Sequence, residues 1–404
     1  MIKVNQIRLS VKSRIRIIRV QSRIVVGGPA KQTILLSKEL NRNGYKTVLI
    51  GGASKSIEKS LIESAINNGI KCVVIPEMAR EIHFYDDLIS LVKLYKFIKK
   101  EKPVIFHSHT AKAGGIGRIA AYIAGVPLIF HTFHGHVFSS YFGKFKTKGF
   151  ILIERLLARI STKIIVISES QRHDMIQKYR IGTDSRVELI RLGFNWNENF
   201  LKRSNVSLRN NFKISQNKFL VGIIGRLVSI KDHYLFIEVA EKLLLIEDND
   251  YHFVIIGDGE LKFNLIDLVK SKNIEKHFTF TGWIEINKSI YEELNLLLLT
   301  SKNEGTPVTI IEALASGIPV IASDVGGVRD VMKLYNTAFL IRERDPLKYC
   351  EKILKLRENS NSPSKETQAK VMQTYDSERL VLDIKNLYKK SIEKLNQSFV
   401  SLDK

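Results

Sequence analysis

"FLVGIIGRLVSIKDHYLFIEVAEKLL", residues 219–244, holds a strand, a turn and a helix in one run. The strand is a continuous apolar segment, short and rich in branched side chains, and it ends at Gly225. A short polar loop with Arg226 and Lys231 follows. A helix is then predicted over 232–246, with Asp232 as its cap. A strand apolar on both faces that runs into an amphipathic helix implies a parallel sheet covered by helices.

The same rhythm extends in both directions. Downstream come "HFVIIGDG", a helix over 260–272, "FTFTGW", "LNLLLLTS", a helix over 307–316 and "PVIASD". Upstream, residues 15–26 read as a strand, and Gly27, Gly28 and Pro29 turn it into a helix from about Ala30 to Asn43–Gly44. "KTVLIGG", "KCVVIP", a helix over 85–100, "VIFHSH", a helix from 113, "LIFHTFHG", a helix from 147 and "KIIVIS" follow. Residues 199–218 turn polar and separate the two series. Helices over 345–358 and 376–395 close the chain. The expected organisation is residues 1–200 as one α/β domain and 201–375 as a second. Residues 376–404 form a helix and tail packing back toward the first domain. Ligands of such sheets lie at the carboxyl ends of the strands, so two facing domains would share a cleft.

At 404 residues, two domains is also the expectation from length, since a domain takes about 100–200 residues. Two cysteines, Cys72 and Cys350, make no disulfide framework or metal signature and fit a reducing cytosol. Arginines at 14, 16, 19 and 23 interrupt any apolar core of a signal peptide. No run approaches the ~18 apolar residues of a membrane span, so a soluble or peripheral protein is expected. Residues 1–200 hold 33 of the 63 Lys and Arg but 14 of the 41 Asp and Glu, an excess of 19. The remainder carries an excess of only 3 of the total +22. A one-sided basic half points to an anionic partner: nucleic acid, an anionic membrane or a phosphorylated substrate; a solvated Lys-rich surface is the alternative.

In "EGTPVTIIEA", residues 304–313, Thr306 is placed to cap a helix and Pro307 suits its first turn. The free N–H groups there, with the helix dipole behind them, suit phosphate or sugar oxygens, and Gly305 permits close approach. Glu304 sits at the strand end. Glu312 lies roughly one and a half turns in, about 8 Å along the axis. Two acceptor-only groups so spaced suit the two diols of a sugar and a ribose; otherwise Glu304 serves the dipole and Glu312 caps a neighbouring loop. Arg226 and Lys231 can clamp a diphosphate, the first as a planar fork and the second as a point charge, or can be plain surface cations. Gly27–Gly28 lacks the spacing of a phosphate-binding G-x-x-x-x-G-K-[ST] loop, which removes the main support for an ATPase. Five histidines, 107, 109, 131, 134 and 136, cluster on two adjacent strand ends. With no carboxylate among them and with in-strand residues alternating faces, a metal site is not favoured. His134, before Gly135, is best placed to project into a cleft.

Taken in order, "GGPAKQT", "HSHTAKAGGIGRIAA", "HTFHGHVF", "GRLVSIKDH", "VIIGDGE" and "EGTPVTIIEALASGIPVIASDVGG" resemble the retaining, metal-independent glycosyltransferases of the GT-B fold, family 4, over residues 18–345. The resemblance implies two Rossmann-like doubly wound domains facing across a cleft. Arg226 and Lys231 would hold the nucleotide diphosphate, and Glu312 the ribose. Glu304, with Gly305, Thr306, Pro307 and Val308, would hold the donor sugar. His134 would reach the sugar or the reacting centre. Gly27 and Gly28 would lie near the phosphates, and His109 and Lys112 would line the acceptor side. No metal or other cofactor is implied. Thr306 stands where bulkier residues are common, and a basic leader of about 15 residues precedes the first strand.

"HTFHGHVF" with "HSHTAKAGG" resembles bacterial enzymes that build capsule, O-antigen or exopolysaccharide on polyprenyl-phosphate lipids. The expected reaction is transfer from a nucleotide-sugar, with UDP favoured over GDP, to a glycan or polyprenyl-diphosphate-linked acceptor. The expected location is the inner face of the cytoplasmic membrane, held there by the basic half. Alternatives are a nucleotide-sugar epimerase of the same fold and a basic nucleic-acid-binding protein. The latter shows no recognised binding motif and leaves the glutamate pair unexplained.

Overall fold

The computed structural model describes residues 14–25, 27–52, 61–78, 83–135, 144–201, 207–247, 250–359 and 361–400. The basic leader before residue 14 and His136 lie outside the described residues. The chain divides into two units, Met1–Gly193 with Ser377–Lys404, and Phe194–Asp376. The join falls at 193/194 rather than 200/201, because Phe194 N–H donates to Tyr375 O and the Trp196 indole to Met372 O, anchoring 194–200 in the second unit.

In the first unit the strands are β1 (Ile15–Arg23), β2 (Tyr45–Gly52), β3 (Lys71–Val74), β4 (Ile105–His109), β5 (Leu128–Thr132), β6 (Lys163–Val166) and β7 (Val187–Leu189). The helices among them are α1 (Gly28–Arg42), α2 (Ile62–Asn67), α3 (Phe84–Glu101), α4 (Ala111–Ile123), α5 (Lys144–Arg159) and α6 (Glu169–His173). The sheet is parallel in the order β3-β2-β1-β4-β5-β6-β7.

The second unit adds α7 (Leu208–Asn211), β8 (Phe219–Ile224), α8 (His233–Ile246), β9 (Tyr251–Ile256), α9 (Lys262–Ser271), β10 (Phe278–Gly282), α10 (Lys288–Glu292) and β11 (Leu296–Leu299). It continues with α11 (Val308–Ala315), β12 (Val320–Ser323), α12 (Val328–Met332), β13 (Leu340–Ile341), α13 (Pro346–Asn359) and α14 (Lys365–Thr374). Its parallel order is β10-β9-β8-β11-β12-β13. The last helix, α15 (Ser377–Val400), belongs to the first unit.

Both sheets are doubly wound, with the chain reversing direction across the sheet between β1 and β4 and between β8 and β11. Ligands of such sheets bind outside the strand ends at this switch point. Strand alternation sets the two cores of the first sheet. Ile17 faces the cluster of Leu40, Ile105, Phe130, Ile384 and Tyr388, whereas Ile18 and Val20 face Leu94, Ile98 and Phe106. Arg19 therefore points to the side covered by α15.

Two expected caps are absent. Asp232 occupies the N-cap of α8 but makes no side-chain cap; its carboxylate takes the Arg344 guanidinium instead. Thr306 is not the cap of α11, because the helix starts at Val308 and the extended Pro307, which has no side-chain acceptor, holds the cap position. Helix α14 was not expected, because it falls in a polar stretch that carries no apolar stripe.

Candidate active site

In the second unit the loops after β8 and β11, the two strands at the switch point, are tied together. Lys231 ends a 3-10 turn, Ser229–Lys231, and its Nζ meets Glu304 Oε1 at 2.6 Å. Ser301 Oγ donates to the same oxygen at 2.6 Å. The two side chains keep 24% and 10% of their exposure, so the pair is shielded but reachable. Around it, Lys302 N–H donates to Ile230 O at 2.8 Å and Thr300 Oγ1 to Asp232 O at 2.9 Å. Arg344 reaches both Thr300 O and the Asp232 carboxylate, and Asp232 holds the left-handed conformation, φ 50°. A residue paired this firmly can keep a backbone conformation it would not choose alone.

Glu304 is also fixed through its backbone. Gly327 N–H donates to Glu304 O at 3.2 Å, and a Cβ on Gly326 would lie 1.9 Å from that oxygen. Gly326 has φ +51°, so glycine is required twice over. Arg226 is exposed on the β8 loop, whose next residue, Leu227, is fully buried and anchors it. Gly305 and Val308 are half-buried beside the buried Thr306 and Pro307 at the start of α11. Glu312, on that helix, accepts from Tyr291 Oη at 2.7 Å. Tyr291 is fully buried, and burial together with the Glu312 charge pushes its phenol well above the ordinary value. Sequence reading missed Tyr291; a lone tyrosine on the five-residue helix α10 carries no signal without knowledge of its partner.

In the first unit, Gly27 and Gly28 open α1. A Cβ on Gly28 would meet nothing within 4 Å, so packing does not demand glycine there. Ser22 at the end of β1 and Thr110 after β4 share a hydrogen bond of 2.8 Å, and Thr110 has φ 64°, unusual for a branched residue. His134 Nε2 lies 3.0 Å from His109 Nδ1. His109 is 1% exposed and its other nitrogen faces Arg19 at 3.2 Å, so its side chain supports His134 and does not itself line an accessible surface. Lys112 departs in the same way: its Nζ pairs with Asp87 at 2.5 Å with 8% exposure, leaving it turned into α3. Burial, aided by the Arg19 charge, holds His134 down at about 4. Among the described residues no group of three or more His, Cys, Asp or Glu is arranged to hold a metal ion.

The chain thus carries two doubly wound parallel sheets and a cation–carboxylate pair at the second switch point, and sequence comparison gives its class. Residues 26–197 match Glycosyltransferase Family 4 and residues 206–395 match Glycosyl transferases group 1; the chain belongs to this family and is a glycosyltransferase. Among its relatives is the UDP-Gal:alpha-D-GlcNAc-diphosphoundecaprenol alpha-1,3-galactosyltransferase of Escherichia coli, 28% identical over 94% of this chain and 98% of that one. The capsular polysaccharide biosynthesis glycosyltransferase CapM of Staphylococcus aureus is 31% identical over 70% and 74%. Anabaena HepE in complex with UDP and glucose has the same fold, with TM-score 0.76 at 19% identity over 93% of this chain and all of that one.

Proposed function

We propose that this chain moves a sugar from a UDP-sugar to a hydroxyl of a lipid-diphosphate-linked or glycan acceptor in bacterial surface-polysaccharide synthesis, with retention at the anomeric carbon. The observation that carries it is the Lys231–Glu304 pair at the β8/β11 switch point, with Glu312 and its Tyr291 support on the helix beyond. The relative from Escherichia coli, matched nearly end to end, acts on a UDP-sugar and a diphosphoundecaprenol-linked sugar, which supports this donor and acceptor class.

In this reading Arg226 and Lys231 bind the diphosphate and offset the charge that grows on it as the bond to the sugar breaks. Glu304, with the amides following Gly305, holds the sugar hydroxyls, and Glu312 the ribose. His134 donates to the sugar. The acceptor oxygen bonds to the anomeric carbon on the face the diphosphate leaves. Its proton passes to a diphosphate oxygen, so every atom is accounted for without a protein base. Two cations fill the place a divalent metal takes elsewhere, so EDTA leaves the rate unchanged.

We place the enzyme at the inner face of the cytoplasmic membrane. None of the described helices is long and apolar enough to cross a membrane. Packed side by side, α3, α4 and α5 instead expose large apolar groups, including Phe84, Leu88, Ile119, Tyr122, Phe145 and Leu152. Exposed lysines 93, 96, 99 and 100 follow the apolar groups along α3, and 146 and 148 lie between Phe145 and Leu152 on α5, a combination that suits an anionic lipid surface.

The test is incubation of the protein with a UDP-sugar panel and a lipid-diphosphate sugar, read by mass spectrometry. One donor should extend the acceptor by one sugar, and NMR should show the product with the donor's anomeric configuration. An epimerised donor in the absence of acceptor, or inversion in the product, would overturn the reading.

A further inference from the structure

Arg19 is fully buried in the middle of β1. Its Nη1 donates to His109 Nε2 at 3.2 Å and its Nη2 to Tyr388 Oη at 3.0 Å. Both partners are neutral. A guanidinium has donors only, so it dictates the direction of every bond beyond it. His109 Nε2 must accept, which leaves the His109 proton on Nδ1. That proton points at His134 Nε2, 3.0 Å away, so His134 accepts there and its own proton sits on Nδ1. On the other branch Tyr388 accepts from Arg19 and donates to His107 Nδ1 at 2.6 Å. His107 then carries its proton on Nε2 and donates to Thr132 Oγ1 at 2.7 Å. Along both branches each donor meets an acceptor and no two protons meet, while Arg19 Nε stays buried without a partner among the described residues.

We infer that Arg19 is a positioning residue that, through His109, fixes His134 as the neutral Nδ1–H tautomer, so that His134 meets the substrate as a hydrogen-bond donor and not as a base. A base needs a free lone pair. The Nε2 pair of His134 is taken by the His109 N–H, and Nδ1 bears the proton. An imidazolium at His134 would set two N–H groups against each other. The arrangement rests on the last helix as well, because Tyr388 comes from α15 and balances the second arm of Arg19.

The groups facing the cluster reinforce this. They are Arg19 from β1, His107 and His109 from β4, His131 from β5, Tyr388 from α15, and Arg118 from α4, itself held by Glu154 of α5. Burial first, and these positive neighbours second, keep His107, His109 and His131 well below the ordinary imidazole value. That His134 touches substrate at all belongs to the proposed function; the tautomer is independent of it.

Long-range 1H–15N correlation on the full chain labelled in histidine, with His134 assigned from a His134→Gln sample, reads the tautomer directly. From about pH 8 to about pH 5, His134 should show a protonated Nδ1 and an unprotonated Nε2. In Arg19→Met that polarity is lost: His134 should show mixed tautomers and titrate above its value in the unaltered chain, while burial still holds it below the ordinary one. The acid limb of kcat/KM should move up in pH with it, because the Arg19 charge no longer opposes protonation. Tyr388→Phe should release the His107 tautomer while leaving His134 as it was. An Nε2–H tautomer at His134 in the unaltered protein overturns the inference. So does an Arg19→Met chain with both tautomer and acid limb unchanged. If Arg19→Met does not fold, the unaltered chain and Tyr388→Phe decide alone. His134→Ala with an unchanged kcat would defeat the substrate contact while leaving the tautomer result standing.

Discussion

Glu304 receives Lys231 and Ser301 on one oxygen, so its carboxylate is oriented before any ligand arrives. Preorganised charge of this kind is worth more than the same groups in water, since nothing must reorient during reaction. Glu304→Ala removes the sugar contact we propose and takes the Glu304 carboxylate away from Lys231. We expect turnover to fall on the order of 100-fold, with an unchanged circular dichroism spectrum; near-normal turnover would show that Glu304 has been misassigned. Tyr291→Phe tests a residue the sequence did not reveal. Removing its O–H takes one hydrogen bond from the Glu312 carboxylate, which we propose holds the ribose. Calorimetry should show UDP binding weaker by about tenfold, a loss of ~1.4 kcal/mol, and an unaltered affinity would remove Tyr291 from the site.

At the level of elements, "SDVGG" (residues 323–327) governs Glu304 from outside its own loop. Alanine at Gly326 would put its Cβ 1.9 Å from Glu304 O, and both atoms involved are held by backbone. Relief requires moving the Glu304 loop. Gly326→Ala should therefore lower stability by about 2–4 kcal/mol in denaturant melts and reduce kcat as well; a stable, fully active variant would contradict this geometry. The strand and helix series was readable because buried parallel strands are continuous apolar runs and their helices carry apolar stripes. The pairings were not. Tyr388 meets Arg19 across 369 positions and Arg344 meets Asp232 across 112. Nothing local in either segment marks such a partner. The Asp232 cap failed for that reason, since a tertiary cation outcompetes the helix N–H groups. For His109 and Lys112 the sequence shows a place at a strand end but not the neighbour each turns toward, His134 and Arg19 for the first and Asp87 for the second.

Two properties belong to the whole molecule. The first is acid lability. His134, His233 and His252 are held at about 4, and His107, His109 and His131 are also lowered, burial being the first cause in each. Once unfolded they titrate near their ordinary value. The unfolded chain therefore binds more protons as pH falls below about 6.5, and the native state loses ground down to about 4. The stability these groups contribute is complete above that window and lost within it. The melting temperature should fall steeply over this range, before most carboxylates titrate; a flat profile between neutrality and about pH 4.5 would mean the histidines are not buried as described.

The second property is the basic, apolar face of the first unit. Phe145, Leu152 and Leu156 recur along α5 at spacings of seven and four and are exposed by 90%, 59% and 52%. Apolar groups this large gain by leaving water, at about 25 cal/mol per Å². Cations beside an anionic leaflet add roughly 1 kcal/mol each. The two contributions respond to different variables, which makes the face testable. Co-sedimentation with vesicles containing phosphatidylglycerol should exceed that with neutral vesicles, and about 0.5 M salt should screen much of the difference. Leu152→Asp with Leu156→Asp should abolish binding at low salt while transfer to a short, water-soluble acceptor continues. That pairing separates the membrane from the chemistry. If the double variant still sediments with anionic vesicles, the charge of the first unit acts elsewhere on its surface and α5 is not what meets the lipid.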